Sequence, residues 1–226
     1  MRAAFSALVL SALVLAGAAA AAGPTKDPKA PQQRHTAADT QLAQSIALLK
    51  ADLPKGWSTQ TKRPDTPPCS TEPDESTLTQ TARIDPTFLW SDGVTSIGSE
   101  VDIFKTAAQA KQDWRLSTLA LMRSCLLESA RRQLAPQHIR VTLISATAVR
   151  APALGERALH YRLVLGLRQA KAKVTVPIVT ELLGIGVGRV SVVLHALARG
   201  TVVPAQSMNV LAGLLAKRLV AASGGI

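Results

Sequence analysis

The chain has 226 residues and a formal net charge of +11, from 26 Lys and Arg against 15 Asp and Glu. That balance favours anionic partners without naming one. Aromatic residues make up only 3% and no RNA-binding signature is present, which sets nucleic acid aside.

The first residues carry a targeting pattern. Met1-Arg2 is a short positive start, Ala3 to Leu15 is apolar except for Ser6 and Ser11, and Ala16 to Ala22 is built of Ala and Gly. Charge, apolar core and small residues in that order predict a signal peptide over residues 1–22, cleaved before Gly23. The apolar part is short for a membrane span, which needs about 20 residues. No Cys follows it to carry a lipid. The mature chain is therefore expected outside the cytoplasm, extracellular or in the cell envelope, with 204 residues and a net charge of +10 once Arg2 is removed. Residues 23–38 are polar and Pro-rich and predict a flexible leader. A single domain at 39–222 follows. The only cysteines, Cys69 and Cys125, predict a disulfide in an oxidising compartment; no CxxC or Cys–His spacing supports a metal.

Leu42, Ile46, Leu49 and Leu53 recur at helical spacing behind Asp39, predicting a helix of about 14 residues that Pro54 and Gly56 stop. Trp57 to Lys62 is a candidate strand, and residues 64–73 are a Pro-rich loop carrying Cys69. Leu78 to Ile84 alternates as a half-buried strand. Phe88 to Trp90, the turn Ser91-Asp92-Gly93 and Val94 to Phe104 form a hairpin. Thr106 is placed to cap one long helix, Ala107 to Leu134, whose apolar side includes Ala110, Trp114, Leu121 and Cys125. Val141 to Ala146 and Leu159 to Arg168 alternate as strands. Ala172 to Gly184 and Arg189 to Ala198 are apolar on both faces and joined by the glycines at 184, 186 and 188. Glu181, Arg189 and Pro177 argue for a buried hairpin there over a membrane span. Pro204 opens a last helix with Met208, Leu211, Leu215 and Leu219 inward. Short connections pair neighbouring strands antiparallel, with helices covering the sheet, so the fold class is α+β.

Asp52-Leu53-Pro54-Lys55-Gly56-Trp57, followed by a Pro-rich Cys loop, resembles actinobacterial exported proteins of the sensor-domain kind. Val101 to Ala108, leading into a helix with Trp114 and Cys125, is similar to the extracellular sensor domains of PknH-type kinases and to LpqN-type lipoproteins. The resemblance spans about residues 39 to 220. It implies a PsbP-like sandwich that binds ligands or partners at the envelope. The chain differs from those families in having no kinase, no lipobox and one cysteine pair.

No catalytic, metal or cofactor site emerges. His35, His138, His160 and His195 share no ligand spacing. Gly184 to Arg189 lacks the G-K-[ST] ending of a phosphate loop, and no Ser stands in a G-x-S-x-G elbow. Asp74-Glu75 and Glu100/Asp102 read as ordinary surface carboxylates. Arg162, Arg168, Lys171 and Lys173 gather about one turn with no acidic residue from Leu159 to Thr180. They are either a solvated hairpin tip or a contact for phospholipid heads or polyanionic polymers. The expected function is a non-enzymatic ligand- or partner-binding module of the cell envelope. The alternatives are an envelope-polymer hydrolase or transferase and an accessory subunit of a membrane complex. An apolar pocket between sheet and helix marks the first, convergent titratable groups in a cleft the second, and a large exposed apolar patch the third.

Overall fold

In a computed structural model, which describes residues 27–60, 69–71, 73–170, 172–200 and 205–223, the chain forms nine strands and four helices. These are β1 (Gln32–Gln33), α1 (Ala37–Ile46), β2 (Trp57–Thr59), β3 (Thr79–Ile84), β4 (Thr87–Trp90), β5 (Ser96–Phe104), α2 (Ala107–Leu116), α3 (Leu119–Leu134), β6 (Ile139–Ala148), β7 (Arg157–Gln169), β8 (Val176–Val187), β9 (Val190–Arg199) and α4 (Ala205–Ser223). The expected signal peptide, the first part of the leader, Lys62, most of the Pro-rich loop, Lys171 and Pro204 lie outside the described residues.

All strands join one open sheet in the order β1-β3-β5-β9-β8-β7-β6, with β4 pairing β5 and β2. Every pairing is antiparallel except β1 on β3, so the α+β class holds and the sheet is mixed. The parallel strand comes from the leader, which was expected to be flexible. Backbone N–H groups of Gln32, Arg34 and Thr36 donate to the carbonyls of Leu78, Gln80 and Thr81, and Thr36 then caps α1 through Asp39 N.

Strands β8 and β9 are apolar on both sides, so each face of the sheet needs a cover. On one face Leu183, Ile185, Val192, Leu194 and Ala196 pack with Val101 and Ile103 beneath α1 and α4. Ala43, Ile46, Met208, Leu215 and Leu219 complete that core, all of them fully buried. On the other face Leu165, Leu167 and Ile178 pack with Val141 and with Leu134 of α3.

Three expected elements end differently. First, α1 stops at Ile46, and a single 3-10 turn, Lys50–Asp52, follows an extended step. Leu48 rather than Leu49 enters the core, its N–H held 2.8 Å from Ser99 Oγ, and Leu49 faces solvent. Second, the long helix is two. Thr118 accepts from Leu121 N and starts α3 anew, while Ser117 Oγ bonds back to the Asp113 carbonyl. Small hydroxyl side chains compete with the helix for its own backbone groups. The break lets α2 lie over β5 and β9 and α3 over β6 and β7. Third, Gly184 and Gly186 lie within β8, not in its turn. A Cβ on Gly184 would stand 2.9 Å from the Trp114 ring and one on Gly186 2.6 Å from Arg157 Nε. The two side chains use that space, with the guanidinium 5.7 Å from the ring centroid. The turn itself is Gly188-Arg189, with Gly188 at φ +51.

Two guanidinium–carboxylate forks tie distant parts of the chain together. Arg189 grips Asp39 at 2.5 and 2.8 Å, and Arg218 of α4 grips Asp52 at 2.7 and 2.8 Å. The Arg189 bond holds the Asp39 carboxyl below its ordinary value, so this contribution exists above about pH 4 and is lost as pH falls. Arg189→Met strands a mostly buried carboxylate. It is expected to lower unfolding stability by about 2–3 kcal/mol at neutral pH, somewhat less than a fully buried pair. Urea denaturation checks this, and Asp39→Asn in the same chain should recover part of the loss.

Candidate functional site

Helix α3 rests on the sheet unusually lightly. Leu134 is its one fully buried residue, and Leu121, Met122, Leu126 and Leu127 are only half-buried. Packing alone therefore does not fix it. The predicted disulfide is present and joins Cys125, mid-helix, to Cys69. Around it Ser70 donates from N and Oγ to Glu128 at 3.0 and 2.8 Å, and Thr71 Oγ1 lies 3.0 Å from Ser124 Oγ. Near the C-terminal end Arg131 Nε donates to the Val141 carbonyl at 3.2 Å.

Between this helix and the sheet lies a pocket of about 430 Å³. Met122, Leu126 and Ala130 line it from α3, and Leu165, Leu167, Ile178, Leu182 and Leu197 from the strands. Register explains the set: Leu165 opposes Ile178, and Thr180 opposes Leu197, so alternate residues of β7, β8 and β9 present one apolar patch. Ser129, Gln133 and Thr180 are the polar residues of the lining. The volume falls within the roughly 300–1,000 Å³ of small-ligand sites. An engineered cavity of about 150 Å³ holds benzene, so by the same scaling this one accommodates on the order of 15 carbon atoms.

Farther along the same face, under α2, lie carboxylates that sequence patterning treated as ordinary. Glu100 and Asp102 of β5 meet Arg83 at 2.6 and 3.9 Å, and Gln80 Nε2 donates to Asp102 at 2.5 Å. Asp113 descends from α2. Burial, reinforced by the Glu100 charge, pushes its carboxyl up to about 6 and raises Asp102 as well; Arg83 and Arg157 pull Asp113 the other way. No group of three or more potential metal ligands occurs among the described residues.

The expected basic cluster is divided. Arg162 is turned inward, its Nε 3.0 Å from Glu181 Oε1, while His160 Nε2 lies 2.8 Å from the other oxygen of that fully buried carboxylate. Glu181 is the cross-strand neighbour of Arg162, a partner visible only once register is known. Arg168 is exposed six residues further along β7, about 20 Å away at strand rise. Arg168 opposes Arg140, and Lys173 is exposed in the following turn. Lys171 is outside the described residues.

Compared with known proteins, the chain matches no family model and no curated protein sequence. Among the described residues no helix is long and apolar enough to cross a membrane.

Two outcomes are expected. Replacing both cysteines by Ser opens a loop spanning 56 positions and should lower stability by about 4 kcal/mol in the chain-entropy account, read by urea unfolding without reductant. For Asp113 the folded-state value lies above the ordinary 3.8, so protonation favours the fold. That stability is complete below about pH 4 and is lost as pH rises through about 6. Asp113→Asn, a mimic of the protonated form, should therefore stabilise the domain near pH 7.5 by on the order of 1 kcal/mol, after discount for partial exposure. Thermal melts should show no gain near pH 4.

Proposed function

We propose that this chain is an exported, non-enzymatic binding module of the cell envelope, with a PsbP-like sandwich of the sensor-domain kind. Its ligand is a small, mainly apolar molecule held between α3 and the sheet. The observation that carries this is the pocket: about 430 Å³, lined almost wholly by aliphatic side chains, in a domain whose other face is tightly packed. The Cys69–Cys125 disulfide supports residence in an oxidising compartment, in keeping with the export pattern of residues 1–22. Helices on both faces of a largely antiparallel sheet accord with the sandwich. The covalent anchor on α3 also keeps the pocket roof in place when the pocket is empty, which lowers the ordering cost of binding.

Titration with Nile red, an uncharged apolar dye, tests the proposal. Saturable fluorescence enhancement at one site per chain is expected. Ala130→Phe fills the pocket from the helix side and should weaken the dye at least tenfold while leaving the melting temperature within a few degrees, since its position on α3 is only half-buried. Equal binding by the two proteins would reject the pocket as the site.

A further inference from the structure

Five arginines among the described residues are half-buried: Arg157, Arg162, Arg189, Arg199 and Arg218. Four of them have a carboxylate within ion-pair distance: Glu156, Glu181, Asp39 and Asp52 respectively. The Arg199 side chain has no hydrogen bond or ion pair among the described residues. Its guanidinium is therefore not committed to a carboxylate among the described residues, and a charge-assisted pair with an anion from outside the chain is among the stronger hydrogen bonds.

Its position gives that cation a use. Pairing of β8 with β9 runs without a register shift from Val187↔Val190 to Ile178↔Arg199. Strand alternation therefore puts Arg199 on the face of Leu197, and its cross-strand neighbour is Ile178. Both of those residues line the pocket. Directly opposed residues have Cβ atoms about 5 Å apart, so the Arg199 side chain leaves its strand next to a lining residue of the pocket. Arg199 is not itself part of the lining; a half-buried arginine lays its aliphatic stem on apolar neighbours and keeps its charged head toward water, so its place is beside the pocket and not inside it. The Gly200 N–H bond to the Pro177 carbonyl closes the strand end just beyond it.

Resting on the pocket reading above, we infer that the ligand is a single-chain anionic amphiphile, with its hydrocarbon tail in the pocket and its carboxylate on Arg199. The planar guanidinium matches a carboxylate through two parallel N–H donors, and the aliphatic wall takes the tail. An uncharged amphiphile of equal length would leave the cation unpartnered. Discrimination between the two therefore belongs to Arg199 and not to the pocket volume.

Displacement of bound Nile red by dodecanoate and by dodecanol separates the two contributions. In the wild type, dodecanoate is expected to compete at least tenfold better than dodecanol. Arg199→Gln should abolish that preference while leaving Nile red and dodecanol affinities unchanged. Equal competition by the two amphiphiles in the wild type, or a preference that survives Arg199→Gln, would overturn the headgroup assignment and leave the pocket standing. Failure of both amphiphiles to displace the dye would instead reject the pocket. Raising ionic strength should weaken dodecanoate and spare dodecanol, since a half-exposed pair is screened.

Discussion

The β8–β9 hairpin has no polar side, and every other element answers to that. A sheet with two apolar faces must be covered twice, and the chain supplies two helices to each face. The covers are unequal. Beneath α1 and α4 the side chains interdigitate into a continuous core of aliphatic residues at near-zero exposure. Buried apolar area there stabilises at roughly 25 cal/mol per Å², which makes this face the thermodynamic base of the domain. The opposite cover is split at Ser117-Thr118 and leaves unfilled space beneath its second half. One face thus provides stability and the other provides room.

Charge inside this framework is handled by pairing rather than exclusion. Glu181 sits at zero exposure within the most apolar strand, satisfied by His160 on one oxygen and Arg162 on the other. Asp39 and Asp52 each receive a guanidinium from far along the chain. Such forks add little net stability over apolar contacts of the same shape, but they penalise any arrangement that leaves one member alone. They select the docking of the amino-terminal segment against the β8–β9 turn and α4. Arg199 departs from that rule.

Much of the architecture was legible in the residues. The alternation of Leu159 to Arg168, the doubly apolar hairpin, the disulfide and the last amphipathic helix all follow from local periodicity or cysteine count. Other features were hidden for definable reasons. The break between α2 and α3 uses no Pro or Gly, only a Ser-Thr step whose effect depends on which backbone group each hydroxyl reaches. The two in-strand glycines looked like turn residues because their purpose is to admit side chains from elsewhere in the chain. Arg162 looked unneutralised because its carboxylate lies across the sheet and not along the strand. Least legible is the pocket. A periodic apolar stripe on α3 announces burial, but a space left between two apolar surfaces has no pattern of its own.

The Cys69–Cys125 bond also has a topological effect. The covalent ring it closes contains β3, β4, β5, α2 and the first part of α3, including the strand that joins the two halves of the sheet. A protease that nicks the backbone once anywhere between those cysteines produces no separate fragment, since both pieces stay joined through sulfur. The cut ends remain beside their native partners at high effective concentration, so the sheet can retain its pairing after such damage. Across that stretch of the chain, survival of the fold no longer requires an unbroken backbone.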